Sequence, residues 1–242
     1  LDADDTLWHT ESAYAATYDR LVDLLLPYMT HADEPRAHAL DRLEATERAN
    51  LATFGYGAKA FVLSMIETAI EVSDHQISLA DVTALIDWGK DLVTRPVHLL
   101  DGVEQSVRAV HAARGGADQP ELWLLTKGDL WEQEDKIARS GLADSFDYIE
   151  IMRSKTAGAY RELLDNRGVE PDGFVMIGNS LASDVAPVLE CGAYAVHVPY
   201  VLTWALEVAP EPTDHPRYAA CSSLAHAIEL VGRGPRGFAP AS

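Results

Sequence analysis

The amino-acid sequence predicts an α/β fold in which a parallel sheet is interrupted by an inserted all-helical block. In the second half of the chain, short apolar runs alternate with helical patterns, which is typical of a parallel sheet covered by helices on both faces. Residues 10–95 show helical periodicity and no convincing strand. With 242 residues and 48% apolar residues, the chain can form one large domain, or a core with a smaller insertion.

The helical block contains four segments with apolar residues at three- and four-residue steps. They span residues 10–27, 34–51, 58–72 and 78–93. Gly55-Tyr56-Gly57 separates the second segment from the third. We therefore predict a helical domain over 10–95 and an α/β core formed by 1–9 and 96–242.

The α/β core alternates between predicted strands and helices. The strands are predicted at 122–125, 148–151, 174–177 and 193–198, and the helices at 103–113, 130–139, 156–167, 181–191 and 223–231. Polar residues follow the strands: Asp2 and Asp4, Thr126, Lys155 and the segment 178–184. Ligands of open parallel sheets bind at the carboxyl ends of the strands, so this placement predicts one site.

The acidic cluster Asp2-Ala3-Asp4-Asp5-Thr6 directly follows the expected end of a strand. Crowded carboxylates repel each other unless a cation or a shared proton offsets the charge. In an extended Asp-x-Asp the two side chains fall on one side and can hold Mg²⁺, or one can attack while the other moves a proton. An acidic turn is the alternative. Because a strand needs apolar residues before Asp2, we expect native residues upstream of Leu1.

The other candidate residues also have structural alternatives. Thr126 can bind phosphate oxygens or cap the next helix, and Lys155 stands at a helix start, where a cation is favourable only near an anion. Lys127 is the rival of Lys155 for phosphate. Asn179 or Asp184 could complete an oxygen shell around a cation held by Asp2, a role compatible with helix capping.

Composition excludes several partners. The net charge of −19 argues against nucleic acid and anionic membranes. Cys191 and Cys221 fit ordinary buried thiols rather than a disulfide framework. The sequence shows neither a membrane-spanning apolar run nor a signal peptide, so we expect a cytoplasmic protein.

Taken together, these motifs resemble the haloacid dehalogenase-like superfamily of phosphohydrolases. The four motifs of that family stand in order: the cluster from Asp2 to Thr6, then Leu124-Leu125-Thr126, then Lys155, then 178–184. The resemblance implies a Rossmann-like core, a helical cap inserted after the first motif, Mg²⁺ and an aspartyl-phosphate intermediate. Asn179 stands where many members have an acid, and Thr156 where proline is frequent.

The resemblance also implies roles for these residues. Asp2 would attack phosphorus, and Asp4 would protonate the leaving oxygen and then deprotonate water. Thr126, Lys127 and Lys155 would bind the phosphoryl group. The metal ligands would be Asp2, the main-chain carbonyl of Asp4, and Asn179 or Asp184.

The expected function is Mg²⁺-dependent hydrolysis of a small phosphorylated metabolite. Haloalkanoic dehalogenases of the superfamily lack the second motif-one aspartate and need no metal, so Asp4 favours phosphate. The alternatives are a phosphomutase-type phosphotransferase and a non-catalytic binding protein of the same fold.

Overall fold

The computed structural model describes residues 1–30, 33–113 and 120–238. The chain divides into two compact units. One consists of Leu1–His9, Val97–Lys127 and the chain from Gln133 onward, and the other of Thr10–Pro96 and Gly128–Glu132. The sequence placed the segment Gly128–Glu132 in the α/β core, whereas the structure groups it with the helical unit.

The helical unit is built from long helices that bury their apolar faces against one another. Its α-helices are α1 (Glu11–Leu25), α2 (Pro35–Phe54), α3 (Ala58–Val72) and α4 (Leu79–Thr94). Leu21, Leu43, Phe61, Met65 and Leu85 are buried in their shared core.

The segment Gly128–Glu132 joins this unit through polar contacts. The main-chain N of Ala58 donates to Glu132 Oε2 at 2.8 Å, and Lys59 Nζ lies 2.7 Å from Asp129 Oδ2. These contacts could not be inferred from helical periodicity, because the partners are about 70 residues apart.

The α/β unit contains parallel strands in two ladders. Strand β1 (Trp123–Lys127) pairs with β2 (Tyr148–Met152), and β3 (Val175–Gly178) pairs with β4 (Tyr194–His197), which pairs with β5 (Tyr218–Ala220). Leu1 and Asp2 lie between the two ladders: Leu125 N donates to Leu1 O at 2.8 Å, and Asp2 N donates to Ile177 O at 2.9 Å. The start of the chain therefore joins β1 to β3.

Helices cover both faces of this sheet. They are α5 (Val103–Ala112), α6 (Leu130–Ser140), α7 (Ala157–Arg167), α8 (Ala186–Glu190) and α9 (Leu224–Gly232). Neighbouring residues of β1 are buried on opposite faces of the sheet. Leu124 belongs to the same apolar core as Val107, and Leu125 belongs to the same core as Tyr160. This double burial explains the continuous apolar runs of the strands. The predicted α/β class with a helical insertion is confirmed.

Three local predictions differ from the structure. The helix predicted over 181–191 begins with a π-helical turn, Leu181–Val185, before α8. Thr156 precedes α7 rather than lying in it, and it caps the helix by accepting from Ala159 N. Thr126 lies within β1 rather than after it. Within the described ranges, no helix is both long and apolar enough to cross a membrane.

Candidate active site

Asp2 is fixed at the centre of the sheet by backbone pairing on both sides. Leu1 bonds to β1 and Asp2 to β3, so the carboxyl group enters the site from a segment with little freedom. The residue is buried, with 7% of its surface exposed. This is the position predicted for the nucleophile, at the carboxyl ends of neighbouring parallel strands.

The chain turns sharply after Asp2 and brings Thr6 back onto it. Leu7 N donates to Ala3 O at 2.7 Å, and Asp5 adopts a left-handed conformation with φ of +62°. Aspartate tolerates this region better than most residues, and such conformations concentrate at functional sites. The turn lets Thr6 Oγ1 donate to Asp2 Oδ2 at 2.9 Å.

A buried ion triad joins three of the predicted site residues. Lys155 Nζ donates to Asp2 Oδ1 at 2.5 Å and to Asp184 Oδ1 at 2.7 Å. The side chains of Lys155 and Asp184 are each 1% exposed. Two carboxylates face one ammonium group, so the triad carries excess negative charge that a cation would offset.

The pKa values of the triad follow from burial and from these charges. Burial and the nearby Asp184 carboxylate raise the pKa of Asp2 to about 6, although Lys155 acts in the opposite direction. Burial alone would lower the pKa of Lys155, but the charges of Asp184 and Asp2 outweigh it and raise that pKa. Lys155 therefore remains a cation beside the nucleophile.

The loop 178–184 is shaped around the Asp184 carboxylate. Ser180 N donates to Asp184 Oδ2 at 3.0 Å, so both carboxylate oxygens have partners within the protein. A Cβ on Gly178 would stand only 2.2 Å from Asp184 Oδ2, which requires glycine there. Behind the loop, Tyr160 Oη donates to Ser183 O at 3.1 Å. Asp184 thus fixes Lys155, while its role toward a metal stays a prediction.

Asn179 meets the first loop, which is the turn formed by residues 3–7, at a cluster of oxygens. The end of its amide lies 3.1 Å from Asp2 Oδ2, 3.1 Å from the main-chain O of Asp4 and 3.2 Å from Thr6 Oγ1. With its nitrogen turned toward these atoms, the amide donates hydrogen bonds to them. With its oxygen turned the same way, the Asn179 amide places an oxygen 3.1 Å from Asp2 Oδ2 and 3.1 Å from the main-chain O of Asp4.

This oxygen cluster fits Mg²⁺. The ion prefers octahedral oxygen ligands at about 2.0–2.1 Å, which places neighbouring ligand oxygens about 3 Å apart. Within the part of the chain that the structure describes, no group of three or more His, Cys, Asp and Glu side chains could hold a metal ion. A cation here would therefore depend on an amide and a main-chain carbonyl together with Asp2.

The Asp4 carboxylate has separate partners. Lys136 Nζ donates to both of its oxygens at 2.8 Å, Gln133 Nε2 donates to Oδ2 at 2.9 Å, and Trp8 Nε1 donates to Oδ1 at 2.7 Å. The Asp4 side chain is 25% exposed, against 8% for Lys136. Asp4 can thus offer its main-chain oxygen to the cluster while its carboxylate remains beside α6.

Thr126 and Lys127 contact other protein groups. Thr126 is buried, and its Oγ1 donates to Gln133 Oε1 at 3.3 Å. Lys127 Nζ donates to Ser183 Oγ at 2.6 Å and to Glu207. Glu207 balances the charge of Lys127, whereas Lys155 contacts Asp2. Phosphate binding by Thr126 and Lys127 stays a prediction.

No motif in the sequence marks Lys136, Gln133 or Glu207 as a site residue. The signal for Lys136 was the scarcity of lysine, since the chain has only five. Gln133 and Lys136 stand three positions apart on α6, a spacing that places them on one helix face, but such a polar pair usually faces solvent. Glu207 lies in a short 3₁₀ turn, Ala205–Glu207, with no motif around it.

The chain is similar in structure to solved hydrolases. A haloacid dehalogenase-like family hydrolase from Xanthomonas campestris shares 33% identity over 98% of this chain and 95% of its own, with a TM-score of 0.82. This chain belongs to the haloacid dehalogenase-like hydrolases. The family resemblance of its motifs is thereby confirmed.

More distant haloacid dehalogenase-like structures share the fold. The magnesium-bound HAD-hydrolase YfnB from Bacillus subtilis is 15% identical, with a TM-score of 0.60, over 96% of this chain and 95% of its own. L-2-haloacid dehalogenase from Xanthobacter autotrophicus is 15% identical, with a TM-score of 0.61, over 96% of both chains. No family model and no curated protein sequence matches the chain. The chain is therefore a hydrolase of this family.

Proposed function

We propose that this hydrolase is a Mg²⁺-dependent phosphatase that cleaves a small phosphorylated metabolite through an aspartyl-phosphate on Asp2. The arrangement around Asp2 carries the proposal. Lys155 Nζ donates to Asp2 Oδ1 at 2.5 Å, and Thr6 Oγ1 donates to Asp2 Oδ2 at 2.9 Å. The oxygen cluster with Asn179 adjoins the second oxygen. A buried carboxylate between a lysine and a cation-binding cluster is suited to attack an anionic phosphoryl group.

In the first step, Asp2 attacks phosphorus and the bond from phosphorus to the leaving oxygen breaks. Oδ2 faces the cluster, so we assign the attack to Oδ1, which Lys155 contacts. Lys155 offsets charge on the phosphoryl oxygens, as phosphoryl transfer requires. Asp4 gives a proton to the leaving oxygen. Bound Mg²⁺, held by Asp2, the Asp4 carbonyl and Asn179, would supply further positive charge to the phosphoryl group.

In the second step, water attacks the phosphorus of the aspartyl-phosphate, and Asp4 takes the proton of that water. Phosphate leaves and the Asp2 carboxylate is restored. Such proton transfer by a positioned side chain typically contributes about 10² to 10⁴ in rate. Asp4 is also the residue that favours phosphate over haloacid substrates, because the superfamily's dehalogenases lack the second aspartate of this motif.

We infer a small substrate because the family resemblance implies that the helical unit serves as a cap. A cap that covers the site would admit a metabolite more readily than a phosphoprotein. The acidic net charge of −19 adds no attraction for a phosphate-rich polymer.

The test is turnover of a panel of phosphomonoesters, phosphopeptides and 2-chloropropionate, with Mg²⁺ or with EDTA. We expect Mg²⁺-dependent release of phosphate from small esters without an added acceptor, which distinguishes hydrolysis from phosphotransfer. Asp2→Asn is the inactive control. Release of chloride in EDTA without release of phosphate would contradict the proposal, and equal rates on phosphopeptides would contradict its small-metabolite part.

A further inference from the structure

The Asp4 carboxylate is surrounded by hydrogen-bond donors from three side chains. Lys136 contacts both oxygens at 2.8 Å, Gln133 contacts one at 2.9 Å and Trp8 the other at 2.7 Å. Each oxygen therefore has a contact to Lys136 and one to a neutral N–H group. This pattern fixes the plane and the direction of the carboxylate rather than only its charge.

Lys136 is buried to an extent that is unusual for lysine. Its side chain is 8% exposed, and lysine is almost never fully buried unless it is paired. Burying an ammonium group and immobilising its long side chain cost free energy that an exposed ion pair would not require. Because Lys136 meets a residue that we place in the chemistry, a role in function accounts for this cost better than general stabilisation does.

Gln133 connects the same carboxylate to strand β1. Its Nε2 donates to Asp4 Oδ2 at 2.9 Å and to Lys127 O at 3.2 Å, and its Oε1 accepts from Thr126 Oγ1 at 3.3 Å. Gln133 and Lys136 are three positions apart on α6 and therefore share one helix face. Helix α6, β1 and the first loop are thus joined at Asp4.

We propose that Lys136 is a positioning residue for Asp4, supported by Gln133, and that it directs the carboxylate that transfers the proton. This inference rests on the proposed phosphatase function. Lys136 acts through Asp4: as the bond to phosphorus breaks, the proton passes from Asp4 to the leaving oxygen, and Lys136 contacts and stabilises the Asp4 carboxylate that results. Losing Lys136 should therefore affect substrates according to how much their leaving oxygen needs a proton.

The test compares n-butyl phosphate, whose alkoxide must be protonated, with p-nitrophenyl phosphate, whose phenolate leaves readily. For Lys136→Met, we expect kcat/KM to fall about 100-fold on the butyl ester and less than about fivefold on the nitrophenyl ester, within the usual range of acid–base catalysis. The ratio kcat/KM reports the steps up to the first transfer, so a slow second step does not mask the difference. Gln133→Met should also lower kcat/KM more on the butyl ester than on the nitrophenyl ester, but by a smaller factor. It serves as the second variant if Lys136→Met fails to fold.

A second comparison separates positioning from a merely structural role. Asp4→Asn and the double variant Asp4→Asn/Lys136→Met should have equal kcat/KM within about twofold, because residues that act as a unit are not additive. Arg139→Met is the matched control, since it removes an exposed ion pair with Asp135 from the same helix, and it should keep the parent ratio between the two esters. Equal losses on both esters, or a further large loss in the double variant, would overturn the inference.

Failure of the phosphatase proposal can be distinguished from failure of the inference about Lys136. If the parent protein hydrolyses no phosphomonoester, the phosphatase proposal fails, and crystal structures of the parent and of Lys136→Met decide the positioning. A displaced Asp4 carboxylate that has left Gln133 in the variant would support a positioning role. An Asp4 carboxylate in the same place would overturn it.

Discussion

Replacing Asp2 by Asn should stabilise the metal-free protein at neutral pH while abolishing turnover. Burial and the charge of Asp184 raise the pKa of Asp2 from 3.8 to about 6. A carboxyl group whose pKa is raised by folding is penalised in its charged form in the native state. Asn fills the same volume and still accepts a hydrogen bond from Lys155, but it carries no charge and is a poor nucleophile.

The size of the effect follows from this pKa difference. Below pH 3.8, Asp2 is protonated in both the native and the unfolded chain, so its ionisation does not distinguish the parent from the variant. As the pH rises through about 6, the native parent loses stability relative to the variant. At about 1.36 kcal/mol per pKa unit, the full difference corresponds to about 3 kcal/mol. A gain of about 1–3 kcal/mol is expected, because the variant also gives up an ion pair with Lys155.

Urea denaturation in EDTA, measured from about pH 4 to pH 8, gives the free energy of unfolding of both proteins. The difference between Asp2→Asn and the parent should grow with pH, and saturating Mg²⁺ should reduce it by stabilising the parent. Asp144→Asn, the same change at an exposed residue, is the control. A difference that stays constant with pH, or a variant less stable than the parent at pH 8, would refute the reasoning.

Three further predictions concern other residues of the α/β unit. Lys155→Met leaves Asp2 and Asp184 buried without a cation and should lower the free energy of unfolding by about 3–5 kcal/mol in urea; a loss under about 1 kcal/mol would count against the triad. Asn179→Asp adds a charged oxygen to the cluster and should tighten Mg²⁺ binding in calorimetry; weaker binding would remove Asn179 from the ligand set. Burial alone would raise the pKa of Glu207, but Lys127 and hydrogen bonds from two serines outweigh it and lower that pKa. Glu207 therefore stabilises the fold above its unfolded pKa near 4.5, and this contribution is lost as the pH falls through the lower native pKa, so Glu207→Gln should destabilise at pH 7 and not in strong acid.

The elements that could be predicted from the sequence are those with a strong local pattern. Helix α3 was predicted over residues 58–72, with the bounds found in the structure, because it is apolar on most faces. Strand β5 was missed because it has only three residues, Tyr218–Ala220, which show no clear period. The π-helical turn Leu181–Val185 was also missed, since its apolar residues fit an ordinary helix.

The same limit applies to the site. Asp2, Lys155 and Asp184 were predicted at one edge of the sheet because parallel strands bring their carboxyl ends together. The structure places both carboxylates in contact with Lys155. The partners of Asp4 could not be predicted in this way. Lys136 is 132 positions from Asp4, and nothing local distinguishes its helix face from a solvated one.

The most direct test of the phosphatase proposal is rapid quenching of the enzyme during turnover in H₂¹⁸O, followed by mass spectrometry of the peptide that carries Asp2 and of the released phosphate. We predict a phosphoryl group on Asp2 and ¹⁸O in the phosphate, because water attacks phosphorus. The Asp2→Asn variant should carry no phosphoryl group. The appearance of ¹⁸O in the Asp2 carboxylate during turnover of a haloacid, with no phosphorylated peptide from any phosphomonoester, would contradict the account.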